Sequence, residues 1–157
     1  GIIKTDSIPA SGYVPGVTYK IGVAGASGSN TKFGFELAAE NSSNASAGTF
    51  ATTNTRTKVL TNGHITHTVT GNIHISGSFG WVVDWTAPAA GTGSVTFSTA
   101  VLVANNNGTN TGDNTVKFST TVNEATTTEI SELTNDNTQL YPNPIENYLN
   151  IYSHFTD

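Results

Sequence analysis

The 157-residue chain has six Lys and Arg against eleven Asp and Glu, a net charge of −5, only 11% charged residues and no cysteine. Six scattered cations make no basic stripe to neutralise phosphates, which sets nucleic acid aside. The missing thiols exclude disulfides, thiolate zinc sites, cysteine nucleophiles and thiol-attached haem.

Residues 1–17 read as an extended lead-in punctuated by Pro9, Gly12, Pro15 and Gly16. Gly1–Lys4 lacks the apolar region of a signal peptide. Period-two strands follow. TYKIGVA sets Tyr19, Ile21 and Val23 on one face, and GASGSN (25–30) reads as a hairpin loop into TKFGFELAAE. There Phe33, Phe35, Leu37 and Ala39 oppose Lys32, Gly34 and Glu36. After the polar loop ENSSNASAG come two shorter strands, AGTFATT and TKVLT. Asn62-Gly63 signals a tight turn. It leads into a strand with Ile65, His67 and Val69 on one face. SFGWVVDWTAP is the most aromatic segment, with Phe79, Trp81, Val83 and Trp85 inward, Asp84 outward and Pro88 ending it. GSVTFSTAVLVA turns Val95, Phe97, Thr99, Val101 and Val103 inward, and TVKFSTTV closes the series with Val116, Phe118 and Thr120.

About eight short strands at this spacing, with no long amphipathic helix, predict an all-β, immunoglobulin-like antiparallel sandwich over residues 1–123. No apolar run approaches the ~20 residues that span a bilayer. EATTTEISELTN, with weak helix formers at Thr126–Thr128, reads as a linker over 124–139. A further segment occupies 140–157.

GYVPGVTYKIGV, with Tyr13, Pro15, Gly16 and Tyr19, resembles the entry of reelin-type domains into their first strand. TKFGFELAA (Phe33, Phe35), AGTF, ITHTV (His67), WVVDWTAPAAGTGSVTFSTAVLVANNNG (Trp85, Pro88, Gly91, Gly93, Phe97) and TGDNTV (Asp113) continue the likeness in order over residues 11–122. The chain also resembles the bacterial choice-of-anchor branch of that family. The resemblance implies a β-sandwich displayed outside the cell, with no catalysis and no cofactor. Within the motif, Trp85 packs, Pro88 breaks the strand, and Gly91 and Gly93 turn the chain back. The cysteines of animal members are absent here.

LYPNPIENYLNI resembles the opening of the type A C-terminal sorting domain of the type IX secretion system. Leu140, Tyr141, Pro142, Asn143, Pro144, Leu149 and Ile151 carry the likeness. A whole domain of that kind is several times longer, so only its first strand or two is expected. Alternatively, residues 140–153 add a strand to a free edge of the sandwich. The sorting resemblance implies the secretion machinery as a partner and the surface or surroundings of a Bacteroidetes-type cell as the location.

Chemistry-bearing residues are sparse. His64 and His67, three apart on a strand, point to opposite faces. Whether His67 and His74 meet depends on the fold, and no His-Glu-x-x-His occurs. The resemblance makes His67 a structural hydrogen-bonding residue. The loop 105–114, with Asp113, is oxygen-rich as calcium sites are. One carboxylate and no Asp-x-Asp-x-Asp-Gly run favour turn formation instead. Glu36 and Asp84 lie on separate strands, and no Gly-x-Ser-x-Gly elbow exists. Tyr13, Tyr141, Tyr148 and Tyr152 are the candidate sugar-stacking aromatics. The expected function is a non-catalytic secreted or surface adhesion module for a glycan or protein ligand. A self-associating spacer or filament subunit, or an accessory domain of a secreted enzyme, is the alternative.

Overall fold

The computed structural model describes residues 1–28, 30–74, 77–126, 139–141 and 150–152. The chain divides into two units, 1–126 and 127–157. Its described residues form nine strands in the first unit: β1 (Ile2–Lys4), β2 (Thr18–Ala26), β3 (Lys32–Asn41), β4 (Thr49–Thr52), β5 (Thr57–Val59), β6 (Ile65–His67), β7 (Ser78–Thr86), β8 (Val95–Ala104) and β9 (Asn114–Val122). They form a four-stranded sheet ordered β1-β2-β7-β4 and a five-stranded sheet ordered β5-β6-β3-β8-β9, with antiparallel neighbours throughout. No described helix is long and apolar enough to cross a membrane.

The alternation read from the sequence explains the two layers. Side chains on a strand point alternately to opposite faces, so each sheet offers one apolar face that must be covered. In β2–β7 the register sets Tyr19 opposite Trp85, Ile21 opposite Val83 and Val23 opposite Trp81. In β3–β8 it sets Phe35 opposite Val101, Leu37 opposite Thr99 and Ala39 opposite Phe97. All of these residues are buried between the layers.

Three readings are corrected. The segment 25–30 is not a hairpin loop: β2 and β3 belong to different sheets, so it crosses between layers. Each of these strands buries an apolar face, and placing consecutive strands on opposite layers lets those faces cover each other. The lead-in contains a strand, β1, whose Ile3 is buried opposite Val23. Val69 does not face inward. It is 84% exposed, because β6 ends at His67 and the chain turns through a helical Val69 (φ −56°, ψ −38°) into a 3-10 turn, Thr70–Asn72. The Asn62-Gly63 turn is present, with Gly63 at φ +82° and Leu60 N–H donating to His64 O at 2.8 Å.

In the second unit, β10 (Gln139–Tyr141) pairs antiparallel with β11 (Asn150–Tyr152), setting Leu140 opposite Ile151. Pro142, Asn143, Pro144, Tyr148, Leu149 and residues 127–138 of the expected linker lie outside the described residues.

Candidate functional site

The outward face of the five-stranded sheet carries a groove of about 470 Å³. Its origin is the strand order. Because Phe35, Leu37 and Ala39 point inward, Glu36 and Ala38 point outward. Register then lines up Glu36, Ala100 and Lys117 in one row and Ala38, Ser98 and Ser119 in the next. Four small side chains make a low floor. Glu36 and His64 stand on one bank and Lys117 on the other.

His64 Nδ1 lies 2.7 Å from Glu36 Oε1, and His64 N–H donates to Asn62 Oδ1 at 3.1 Å. The tight turn at Asn62-Gly63 thereby aims the imidazole across β6 onto β3. Lys117 has no carboxylate partner among the described residues, where the ion pairs are Lys20–Asp84 and His64–Glu36. Asp84, expected to face solvent, is half-buried and bonded to Lys20 at 2.5 Å. The groove therefore presents an acceptor, an open ammonium and two hydroxyls. Glu36 is the one carboxylate among its described lining residues. Sequence reading saw Glu36 and His64 but not their meeting, because contact across 28 positions depends on β6 pairing with β3.

The reelin-like motif residues lie elsewhere. Tyr13 is not an exposed platform for sugars: it is 0% exposed. Its ring stands edge-on to Trp85 at 5.5 Å, and its hydroxyl donates to Gly93 O at 2.6 Å. Burial, then the Glu124 charge, pushes its phenol pKa up. Trp85 also meets Phe97 edge-on at 4.9 Å and donates its indole N–H to Ala47 O at 3.0 Å. Pro15 precedes Gly16, whose φ is +74° and whose N–H donates to Ala87 O. Tyr19 Oη accepts from Val14 N–H at 2.8 Å. Pro88 follows β7 directly after Ala87. Phe33 packs on Phe79 at 4.9 Å, and Phe35 stacks on Trp81 at 4.4 Å. His67 Nδ1 accepts from Phe35 N–H at 3.1 Å. Asp113 Oδ1 accepts from Asn105 N–H at 3.1 Å, while Asn105 and Asn107 donate to Thr111 O. Those loop oxygens are thus engaged by the loop's own amides. No group of three or more His, Cys, Asp or Glu able to hold a metal ion occurs among the described residues.

Glu124 is a structural residue that sequence reading missed. The chain stays bonded to the sandwich through Tyr13 N–H to Asn123 O and Ala125 N–H to Tyr13 O. The Glu124 carboxylate accepts from Gly91 N–H and Gly93 N–H, each at 2.8 Å. Both glycines have positive φ, +83° and +77°, which lets both of their amides turn toward one anion. The Gly93 amide, then the Gly91 amide, holds this carboxyl below its ordinary range. A depressed folded-state value means the latch is at full strength above the unfolded Glu value of about 4.3 and is lost as pH falls through the folded value. Glu124→Gln should accordingly lower the urea midpoint at neutral pH and converge on the parent as pH falls through the depressed folded-state value. Equal midpoints at neutral pH would show the latch to be inert.

Residues 4–124 match the family model described as Reeler domain. Among solved structures, human F-spondin reeler domain (fragment 1) is similar at 21% identity and a TM-score of 0.56, covering 78% of this chain and 86% of that one. Fragment 2 gives 22% identity and a TM-score of 0.57, with 78% and 90% covered. At such identity the likeness concerns the fold alone. A search of curated proteins found no match. Since the matched stretch spans well over half the sequence, the chain belongs to the Reeler domain family.

Proposed function

We propose that the chain is a non-catalytic binding module of an exported or cell-surface protein, and that it takes a hydroxyl-rich glycan along the outer face of its five-stranded sheet. The observation that carries this is the groove itself: a small-residue floor between the Glu36–His64 pair and Lys117, which has no carboxylate partner among the described residues. Open polar grooves with acceptor and donor on facing banks suit ligands rich in hydroxyls. Reeler domains are non-enzymatic modules of the extracellular type, which supports the same reading. Export by the type IX route, on a Bacteroidetes-type cell and with its machinery as partner, rests on the sorting-domain resemblance of Leu140–Pro144, Leu149 and Ile151. The antiparallel pairing of Leu140 with Ile151 is compatible with it.

A second reading is self-association through β9. That edge strand has nine residues, whereas the edges β1, β4 and β5 have three or four. Long open edges are where chains add strands.

One experiment tests both the ligand and the route: display of the parent chain in a type IX-competent host, probed with a glycan array and matrix proteins. Glu36→Gln and Lys117→Gln should each weaken glycan capture by about tenfold, the loss of one charge-assisted hydrogen bond. Alanine at Tyr141, Pro142, Asn143 and Pro144 should remove the chain from the surface. Silence across the glycans, or capture indifferent to both groove variants, would overturn the binding reading. Normal display of the alanine variant would overturn the export reading.

A further inference from the structure

A second recess, separate from the groove in its residues and its chemistry, lies where β7 begins. It has a volume of about 400 Å³ and is lined by Arg56, Ile73, His74, Phe79 and Gly80 among others. Arg56 and Gly80 also border an adjoining pocket of about 160 Å³ that reaches Trp81.

Arg56 is fixed at both ends. Its backbone N–H donates to Asn54 Oδ1 at 2.9 Å, and its carbonyl accepts from Thr68 N–H at 2.9 Å. Its Nη2 donates to Ile73 O at 2.8 Å and Gly71 O at 3.4 Å, and it lies 3.4 Å from each nitrogen of the His74 ring. All of these side-chain contacts leave from Nη2, so Nη1 and Nε carry N–H groups with no partner among the described residues. No carboxylate pairs with Arg56 among them either, although acids outnumber bases eleven to six in the chain. A guanidinium held by carbonyls, with its remaining donors open, is pre-organised for the planar fork of a carboxylate.

The surroundings select the rest of the ligand. His74 stands edge-on to Trp81 at 4.6 Å and to Phe33 at 5.7 Å. Burial, then the neighbouring Arg56 charge, pushes its pKa down, so the imidazole adds no second cation. Ile73 is 56% exposed beside the guanidinium, and Phe79 lines the same recess. We infer that this recess binds a small organic carboxylate with an apolar body, the acid group on Arg56 and the body against Ile73 and Phe79. This reading is independent of the glycan groove, and either can fail alone.

The two indole N–H groups report the outcome in the intact chain by NMR. Trp81 Nε1 donates to Gly71 O at 2.9 Å, a carbonyl that Arg56 also contacts. Trp85 Nε1 donates to Ala47 O at 3.0 Å, and the residue lies four positions along β7, roughly 13 Å away. Hexanoate should move the Trp81 signal saturably and leave the Trp85 signal in place. Acetate and glucuronate should bind about tenfold more weakly, for want of buried methylenes. Arg56→Lys keeps the charge but removes the fork, and should weaken hexanoate by about tenfold. Ile73→Ser, at a side chain 56% exposed, should weaken hexanoate but not acetate. The inference is overturned if hexanoate leaves Trp81 unmoved or moves both indoles alike, if acetate or glucuronate matches hexanoate, or if either variant binds hexanoate as the parent does.

Discussion

Trp85→Ala should lower the stability of the sandwich by about 3–5 kcal/mol, the range for removing a fully buried aromatic side chain. Three observations place it there. The ring is 0% exposed. It meets Tyr13 and Phe97 edge-on, at 5.5 and 4.9 Å, so it joins aromatics from the lead-in and from the opposite sheet. Its indole N–H satisfies Ala47 O, which would be left without this partner in the shortened variant. The neighbouring backbone has also shaped itself to the ring. Gly48 lies so close that an added Cβ would sit 2.5 Å from the indole nitrogen, and its φ of +77° suits glycine alone. The cavity left behind therefore cannot close by a simple side-chain shift. Val82→Ala, on the same strand but 47% exposed, should stay within about 0.5 kcal/mol of the parent. Urea unfolding of both variants checks the pair, and equal midpoints would remove Trp85 from its place as the anchor of the core.

That prediction could be approached from the sequence, because period-two alternation in SFGWVVDWTAP marks the inward face without knowledge of any neighbour. The same holds for Phe33, Phe35 and Leu37 on β3 and for Val95, Phe97 and Val101 on β8, all buried. What alternation cannot tell is which strand lies beside which. The groove exists because β3 sits between β6 and β8, and because Lys117 falls in register with Ala100. Glu36, Ala38, Ser98, Ala100, Lys117 and Ser119 in its lining are the ones a period-two reading assigns to solvent. The loop 25–30 was misread for a related reason: Gly-rich composition marks a reversal but does not say whether the chain returns in the same layer. Tyr13 was misplaced because its burial depends on Asn123–Ala125, more than a hundred residues on. The meeting of Arg56 with His74 had no local signal. They converge through a 3-10 turn where the strand pattern was expected to continue.

That turn is where the second large effect is expected. Gly71→Ala should cost about 1–3 kcal/mol, the usual range for overpacking, and toward its upper end, because a Cβ built there overlaps the carbonyl oxygen and carbon of Arg56. The obstacle is backbone, so no rotamer change relieves it; the turn must move away from β5. Moving it disturbs three bonds together. Gly71 O accepts from Trp81 Nε1 and from Arg56 Nη2, and Gly71 N–H donates to Thr68 O at 2.9 Å. Gly80→Ala is the matching control. It has open space around the added methyl and no positive φ, so it should be neutral or slightly stabilising through reduced freedom of the unfolded chain. Paired thermal or urea unfolding of the two alanine variants, with the Trp81 indole N–H shift read alongside, distinguishes the causes. A large loss for Gly71→Ala with a displaced Trp81 signal locates the strain at the turn. A Gly71→Ala variant as stable as Gly80→Ala, with Trp81 unmoved, would mean that the turn does not press on Arg56, and the rigid placement of that guanidinium would fall with it.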